Sequence, residues 1–228
     1  MRAKPDVSLQ VPAASTKDIL LDAAERLFAT RSVEAVSIRD ITTEAGVNLA
    51  AIHYHFGCKA DLVKAVFLRR LVPLDRRRAE LLDELERCCG EKPPKLEDVL
   101  WILIYPIVEQ GMANSQNQIF FQLMNRSVSE PNGEIRNLVR AQTQEMKTRL
   151  DAAFLRAMPN LSAKDMHWTI GFVMGAIDHG LMLLSMDNQV REGFFGDGTM
   201  DCSMEEFAQR LITFAAGGLK SSLPKFKK

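Results

Sequence analysis

Apolar residues in this chain recur at helical spacing and nowhere alternate long enough to make a convincing strand. Ile19, Leu20, Ala23, Ala24, Leu27 and Phe28 fall at i, i+1, i+4, i+5, i+8 and i+9, one face of a helix opening after Ser15. Ser15, with Asp18 three residues on, predicts its cap. Further helical patterns cover 60–87, 96–110, 116–129, 132–157, 162–186 and 203–218. Breaks are expected at 90–94, Gly111, 131–133, Pro159 and the Gly-rich stretch 193–198. Pro73 lies inside the 60–87 pattern and predicts a kink or a split there. Residues 1–14, with Pro5 and Pro12 and no apolar period, read as a disordered arm. The fold class is all-α.

Between the first helix and the 60–87 pattern lies the most informative stretch, VSIRDITTEAGVNLAAIHYHFGCKADL over 36–62. Ser37 is a natural N-cap and Asp40 completes a capping box, while Val36 and Ile41 can form a hydrophobic staple. The short helix stops at Gly46, where a left-handed residue suits the turn. The same grammar then repeats: Asn48 caps, Val47 can staple onto Ile52, and a second short helix runs from Leu49 to about Phe56. Two capped helices around a glycine turn predict a helix-turn-helix over 15–62, locked by Ile38, Ile41, Ala45, Val47, Ile52 and Phe56. Geometry alone also fits two ordinary core helices. The residues on the second helix separate the two readings: Asn48, Leu49, Ala50, His53, Tyr54 and His55 include no acid. A solvated face would carry Glu and Lys, whereas a helix facing phosphates should avoid carboxylates.

These residues resemble the tetracycline-repressor (TetR/AcrR) family of bacterial regulators. The likeness rests on AAERLF, SIRDITTEAGV and IHYHFGCKADL, over roughly residues 15–65. It implies a three-helix DNA-binding domain followed by a larger helical domain, 63–228, for ligand sensing and dimerisation. It also implies DNA contacts from Arg39, from Asn48, Leu49, Ala50, Ala51, His53 and Tyr54, with His55 nearby, and from Lys59 at the start of the next helix. Ser37 and Lys17 (or Thr16) are further phosphate candidates. Two positions depart from the family's habit: His53 stands where Tyr is frequent, and Cys58 where Ser or Asn is. A missing cap at 58 costs about 1 kcal/mol unless Gly57 takes that place. The helix offers no Arg, Lys or Gln for a bidentate base contact. Polar base reading therefore falls to Arg39 and Asn48, with Leu49, Ala50 and Ala51 reading thymine methyls and DNA shape supplying the rest.

Composition alters this little. The 29 basic and 29 acidic residues cancel, so any attraction to DNA must be local. The first ten residues lack an apolar run, and the four cysteines form no CxxC pair, so a reduced, cytoplasmic setting with free thiols is expected. The run 168–186 is long enough to cross a bilayer, but Asp178 and His179 at its middle predict a buried helix of a soluble protein instead. His53, His55 and Cys58 do not share a helix face, and no metal or other cofactor is expected. Neither a GxSxG elbow nor an HExxH motif suggests an enzyme. The Arg76-Arg77-Arg78 run reads as a solvated face, with contact to an acidic ligand group or to an acidic surface of the partner domain as the alternative.

The larger domain is rich in big apolar side chains. Trp101, Tyr105, Phe120, Phe121, Met124, Trp168, Phe172 and the polar Asp178 are candidates for a pocket holding a hydrophobic or amphipathic effector. Pro106 could open its helix locally and leave room for such a ligand. The stretch 69–85 looks similar to a branch of the family that includes fatty-acid-type sensors. Gly171 and Gly175, four apart, and the stripe Phe207, Leu211, Phe214 predict a four-helix homodimer interface. The expected partners are a palindromic double-stranded operator, a small effector and a second copy, with no membrane. The leading function is a repressor released by its ligand. The alternatives are a constitutive dimeric regulator without effector, or an all-α enzyme or carrier.

Overall fold

The computed structural model describes residues 15–112, 119, 123–124, 133–186, 190, 193 and 202–221. Within them the chain forms eight helices and no strand: α1 (Thr16–Thr30), α2 (Ile38–Ala45), α3 (Leu49–Phe56), α4 (Lys59–Cys89), α5 (Leu96–Met112), α6 (Gly133–Ala157), α7 (Ala163–Ser185) and α8 (Met204–Ser221). The arm expected at 1–14 lies outside the described residues. So does the helix expected at 116–129, apart from residues 119, 123 and 124, and the 193–198 stretch beyond Gly193. The chain divides into two compact units, 1–66 and 67–228. The border falls inside α4, between Val66 and Phe67, rather than at residue 62.

In the first unit α1 packs on α2 and α3. Leu20, Phe28, Val36, Ile41, Ile52 and Leu62 are wholly buried. Each such side chain contributes about 1.5–3 kcal/mol relative to exposure. Both members of the staple expected at Val36 and Ile41 belong to this core.

The second unit is built around α5, which is apolar on nearly every face and correspondingly buried from Leu96 to Gly111. It packs against α6, α7 and α8. From α8 the residues Phe207, Ala208, Ile212, Ala215, Ala216 and Leu219 turn inward. The α7–α8 crossing is tight at one point: a Cβ on Gly180 would lie 2.4 Å from Cζ of Phe207. Only glycine leaves room for that ring. Arg156 donates to the carbonyls of Gly90 (2.8 Å) and Lys92 (2.9 Å), satisfying backbone at the end of α4. Arg149 ties α6 to α4 through Asp83 (2.6 Å) and Glu86 (3.2 Å).

Pro73 does not split α4, and Pro106 does not interrupt α5; each lies inside a continuous helix. A proline removes one ladder hydrogen bond and crowds the carbonyls of the preceding turn. Both turns find a donor on the other helix. Gln110 of α5 donates through Nε2 to the carbonyl of Arg70, three residues before Pro73, at 3.2 Å. Arg78 of α4 donates through Nη2 to the carbonyl of Leu103, three residues before Pro106, at 3.0 Å. The turn before each proline is thus braced by a side chain from the other helix. Among the described residues no helix is long and apolar enough to cross a membrane. The run 168–186 is not uniformly buried, since Trp168 and Phe172 face solvent.

Candidate nucleic-acid interface and ligand cavity

Local capping positions the first site. The Ser37 hydroxyl accepts from the Asp40 amide at 3.1 Å, and the Asp40 carboxylate accepts from the Ser37 amide at 2.8 Å. These bonds, with Arg31 beside it, hold the Asp40 carboxyl below its ordinary range. Gly46 takes φ +65° at the turn. Asn48 caps α3 through Oδ1, which accepts from the Ala51 amide at 3.1 Å. That cap commits the oxygen of Asn48 and leaves its NH2 group to donate outward.

The outer face of α3 carries Leu49, Ala50, His53 and Tyr54, all exposed, with the Tyr54 ring 86% accessible. Ala51 and His55 are half-buried. The His53 ring meets the Gly57 carbonyl through Nδ1 at 3.0 Å. Gly57 can only accept, so Nδ1 carries the proton, and Nε2 of the neutral ring is an acceptor. Two acids of the first unit are engaged elsewhere: Glu44 pairs with Arg26 at 3.1 Å and Asp40 with Arg31 at 3.4 Å. Arg39 and Ser37 are exposed, and Lys59 opens α4. Lys17 lies 6.0 Å from the centre of the Phe56 ring. Cys58 itself, not Gly57, holds the cap position of α4: its carbonyl accepts from the Leu62 amide at 3.2 Å, and its thiol donates to Asp61 at 3.0 Å.

The second site is a cavity of about 410 Å³ in the second unit, walled by α4, α5, α6 and α7. Apolar residues dominate its lining, among them Leu71, Leu103, Met146, Phe154, Ile170 and Met174. That size and character suit a small organic ligand. Of the residues singled out in the sequence, Met124 and Asp178 are among its lining. Trp101 and Tyr105 do not; they stack on each other, centroids 4.3 Å apart, against the core. Trp168 and Phe172 point outward, 61% and 66% exposed. Phe120 and Phe121 lie outside the described residues.

Sequence reasoning missed polar cavity residues other than Asp178, among them Asp75, Arg78, Lys147 and His167. Arg78, expected on a solvated face, is buried, while Arg76 and Arg77 stay at the surface with Glu80 and Glu109. Burial pushes the Arg78 guanidinium down to about 10, partly offset by Asp75, so it remains charged at neutral pH. Burial also raises the Asp75 carboxyl, against the pull of Arg78 and of neighbouring Gln142. A signal was present: Leu71, Leu74, Asp75, Arg78 and Leu82 fall at i, i+3, i+4, i+7 and i+11, one apolar stripe carrying two charges.

Among the candidate interface residues, Gly171, Gly175 and Phe214 are exposed, with open space beside both glycines. Phe207 is not available: its ring fills the notch at Gly180 inside the protomer. Leu211 packs partly against the same core. None of the four cysteines forms a disulfide, and no group of three metal-ligating side chains occurs among the described residues.

Two capped helices, a left-handed glycine turn and an exposed second helix without acids make the first unit a helix-turn-helix. Residues 20–66 match the family model of bacterial regulatory proteins, tetR family, and residues 102–218 that of the tetracyclin repressor-like C-terminal domain. The latter match alone covers half of the chain, and the chain belongs to the tetR family. It is similar to the HTH-type transcriptional repressor KstR2 of Mycolicibacterium smegmatis, 36% identical over 70 residues that make up 31% of this chain and 34% of that protein. The HTH-type transcriptional regulator TtgR of Pseudomonas putida is 43% identical over 54 residues, 24% of this chain and 26% of that one. The alignments thus span about a third or less of these curated relatives. A TetR-family transcriptional regulator from Bordetella parapertussis shares the fold, with a TM-score of 0.64 at 16% identity, covering 93% of this chain and 100% of that one.

Proposed function

We infer that this family member is a cytoplasmic, homodimeric DNA-binding repressor, released from a palindromic operator when a small apolar or amphipathic ligand enters the α4–α7 cavity. The observation that carries the DNA-binding role is the exposed face of α3, which presents Asn48, Leu49, Ala50, His53 and Tyr54 with no carboxylate among them. A major groove admits such a helix, and Arg39 and Lys59 supply cations for flanking phosphates. Dimerisation is supported by the apolar surface of Trp168, Phe172 and Phe214 together with the open backbone at Gly171 and Gly175. Pairing α7 and α8 with their copies across a two-fold axis covers that surface. A ligand that binds one dimer spacing better than the other shifts the population away from DNA.

The decisive experiment selects bound fragments from a random duplex pool with the full chain, then measures affinity for the selected site. An inverted repeat is expected, with affinity falling ~10³–10⁵-fold between about 50 and 200 mM salt, as six to ten phosphate contacts require. Asn48→Asp keeps a capping oxygen but sets a carboxylate against the groove. It should leave thermal stability unchanged and weaken binding more than tenfold. A chain that ignores duplexes at low salt, or an Asn48→Asp variant that binds normally, overturns the inference.

A further inference from the structure

The charged residues lining the cavity are unevenly committed. Asp75, Asp151 and Asp178 face two permanent cations, Arg78 and Lys147, with His167 beside them. Both cations are engaged. Arg78 serves the Leu103 carbonyl and lies 3.8 Å from Asp75. Lys147 is paired with Asp151, and its Nζ is also 3.1 Å from Nε2 of His167. A carboxylate or phosphate head group entering here finds no uncommitted cation among the described lining residues, and it meets an excess of negative charge. Asp75 is in a different condition. Neither carboxylate oxygen of Asp75 receives a hydrogen bond of ordinary geometry, although both are buried and Gln142 is a neighbour. Nε of Arg78 likewise has no acceptor. A ligand donor would satisfy the buried acceptor of Asp75. Burial already disfavours the charged form of Asp75, so a neutral or positive partner suits it better than an anion.

We propose that the cavity takes an apolar ligand whose polar end is a hydrogen-bond donor without negative charge, an alcohol or an amine, and that Asp75 receives that donor. Asp75 lines the cavity, and both of its carboxyl oxygens are buried without a hydrogen-bond donor of ordinary geometry. A hydroxyl also offers Arg78 Nε the acceptor it lacks. The proposal rests on the reading of this cavity as the effector site.

Three ten-carbon probes that differ only at the head, 1-decanol, decylamine and decanoate, test it by calorimetry on the full chain below their micelle concentrations. Decanol or decylamine should bind at least tenfold more tightly than decanoate. Decylamine ahead of decanol assigns an ion pair to Asp75, and the reverse order a neutral hydrogen bond; both sustain the proposal. Asp75→Asn should reduce the preference for decylamine over decanoate at least tenfold. Met174→Trp, which fills the cavity, should abolish binding of all three. Decanoate binding as tightly as the others overturns the ligand class while leaving the cavity as effector site. An unchanged preference in Asp75→Asn removes Asp75 from the role. No binding by any probe, or binding untouched by Met174→Trp, overturns the site itself. The wild-type ranking decides the ligand class even if a variant fails to fold.

Discussion

The helix-turn-helix unit and the larger unit solve the same problem, polar groups at helix ends and inside helices, by different means. In the smaller unit the partner is three residues away: Ser15 with Asp18, Ser37 with Asp40, Asn48 with Ala51, Cys58 with Asp61. In the larger one such caps persist at Ser162 and Ser203, but further partners lie far along the chain: Arg78 with Leu103, Gln110 with Arg70, Arg149 with Asp83, Arg156 with Gly90. Short-range satisfaction makes the ends of α2 and α3 largely independent of distant parts of the chain, which suits the groove-docking surface proposed for them. Long-range satisfaction makes helices of the larger unit depend on their neighbours, which suits the ligand response proposed for it.

Three measurements sharpen or break this contrast. The largest effect is expected from Arg78→Met, which leaves Asp75 buried without its counter-charge and the Leu103 carbonyl without its donor. Removing one member of a buried pair costs about 3–5 kcal/mol. Hydrogen exchange should quicken through α4 beyond Phe67 and through α5, while amides of α2 and α3 keep their protection. Equal loosening of both units would dissolve the contrast. Ser37→Ala should cost about 1 kcal/mol in denaturant unfolding, with its loss of protection confined to α2 and its neighbours. The smallest effects are in pH dependence, and they have opposite signs. Asp40 has a lowered folded pKa, so its contribution is present above the ordinary carboxylate value and lost as pH falls through the lowered one. Asp75 has a raised folded pKa, so stability falls as pH climbs from the ordinary value through the raised one. In stability-versus-pH curves, Asp40→Asn should remove the first slope and Asp75→Asn the second. Slopes of one sign for both would count against the assigned environments.

The same contrast explains what could be read in the chain and what could not. Ser37, Gly46 and Asn48 were legible because a cap and its partner lie within one helical turn. The helices of the larger unit were legible too, since periodicity shows which residues share a face. It does not show what that face meets. Trp168 and Phe172 are large and apolar, and size alone suggested a pocket; they sit four apart on the outer face of α7, rings 5.8 Å apart. Phe207 belonged to an apolar stripe but faces Gly180, a pairing that no periodicity reveals. Arg78 was hidden among three arginines because its neighbours in sequence are exposed. Only the stripe it shares with Leu71, Leu74 and Leu82 marks it as different.

The crossed service of the two prolines makes four residues into a unit of inheritance. Arg78 donates to the Leu103 carbonyl in the very turn that Pro106 crowds, so losing the arginine and keeping the proline burden the same turn. With alanine at 106 that crowding would go and the Ile102 carbonyl would regain its ladder donor, leaving the arginine chiefly a buried charge in need of a partner. Pro73 and Gln110 are bound in the same way. Substitutions along α4 and α5 should therefore be tolerated in pairs more readily than singly, although the partners lie 28 and 37 positions apart by subtraction of their numbers (106 − 78 and 110 − 73).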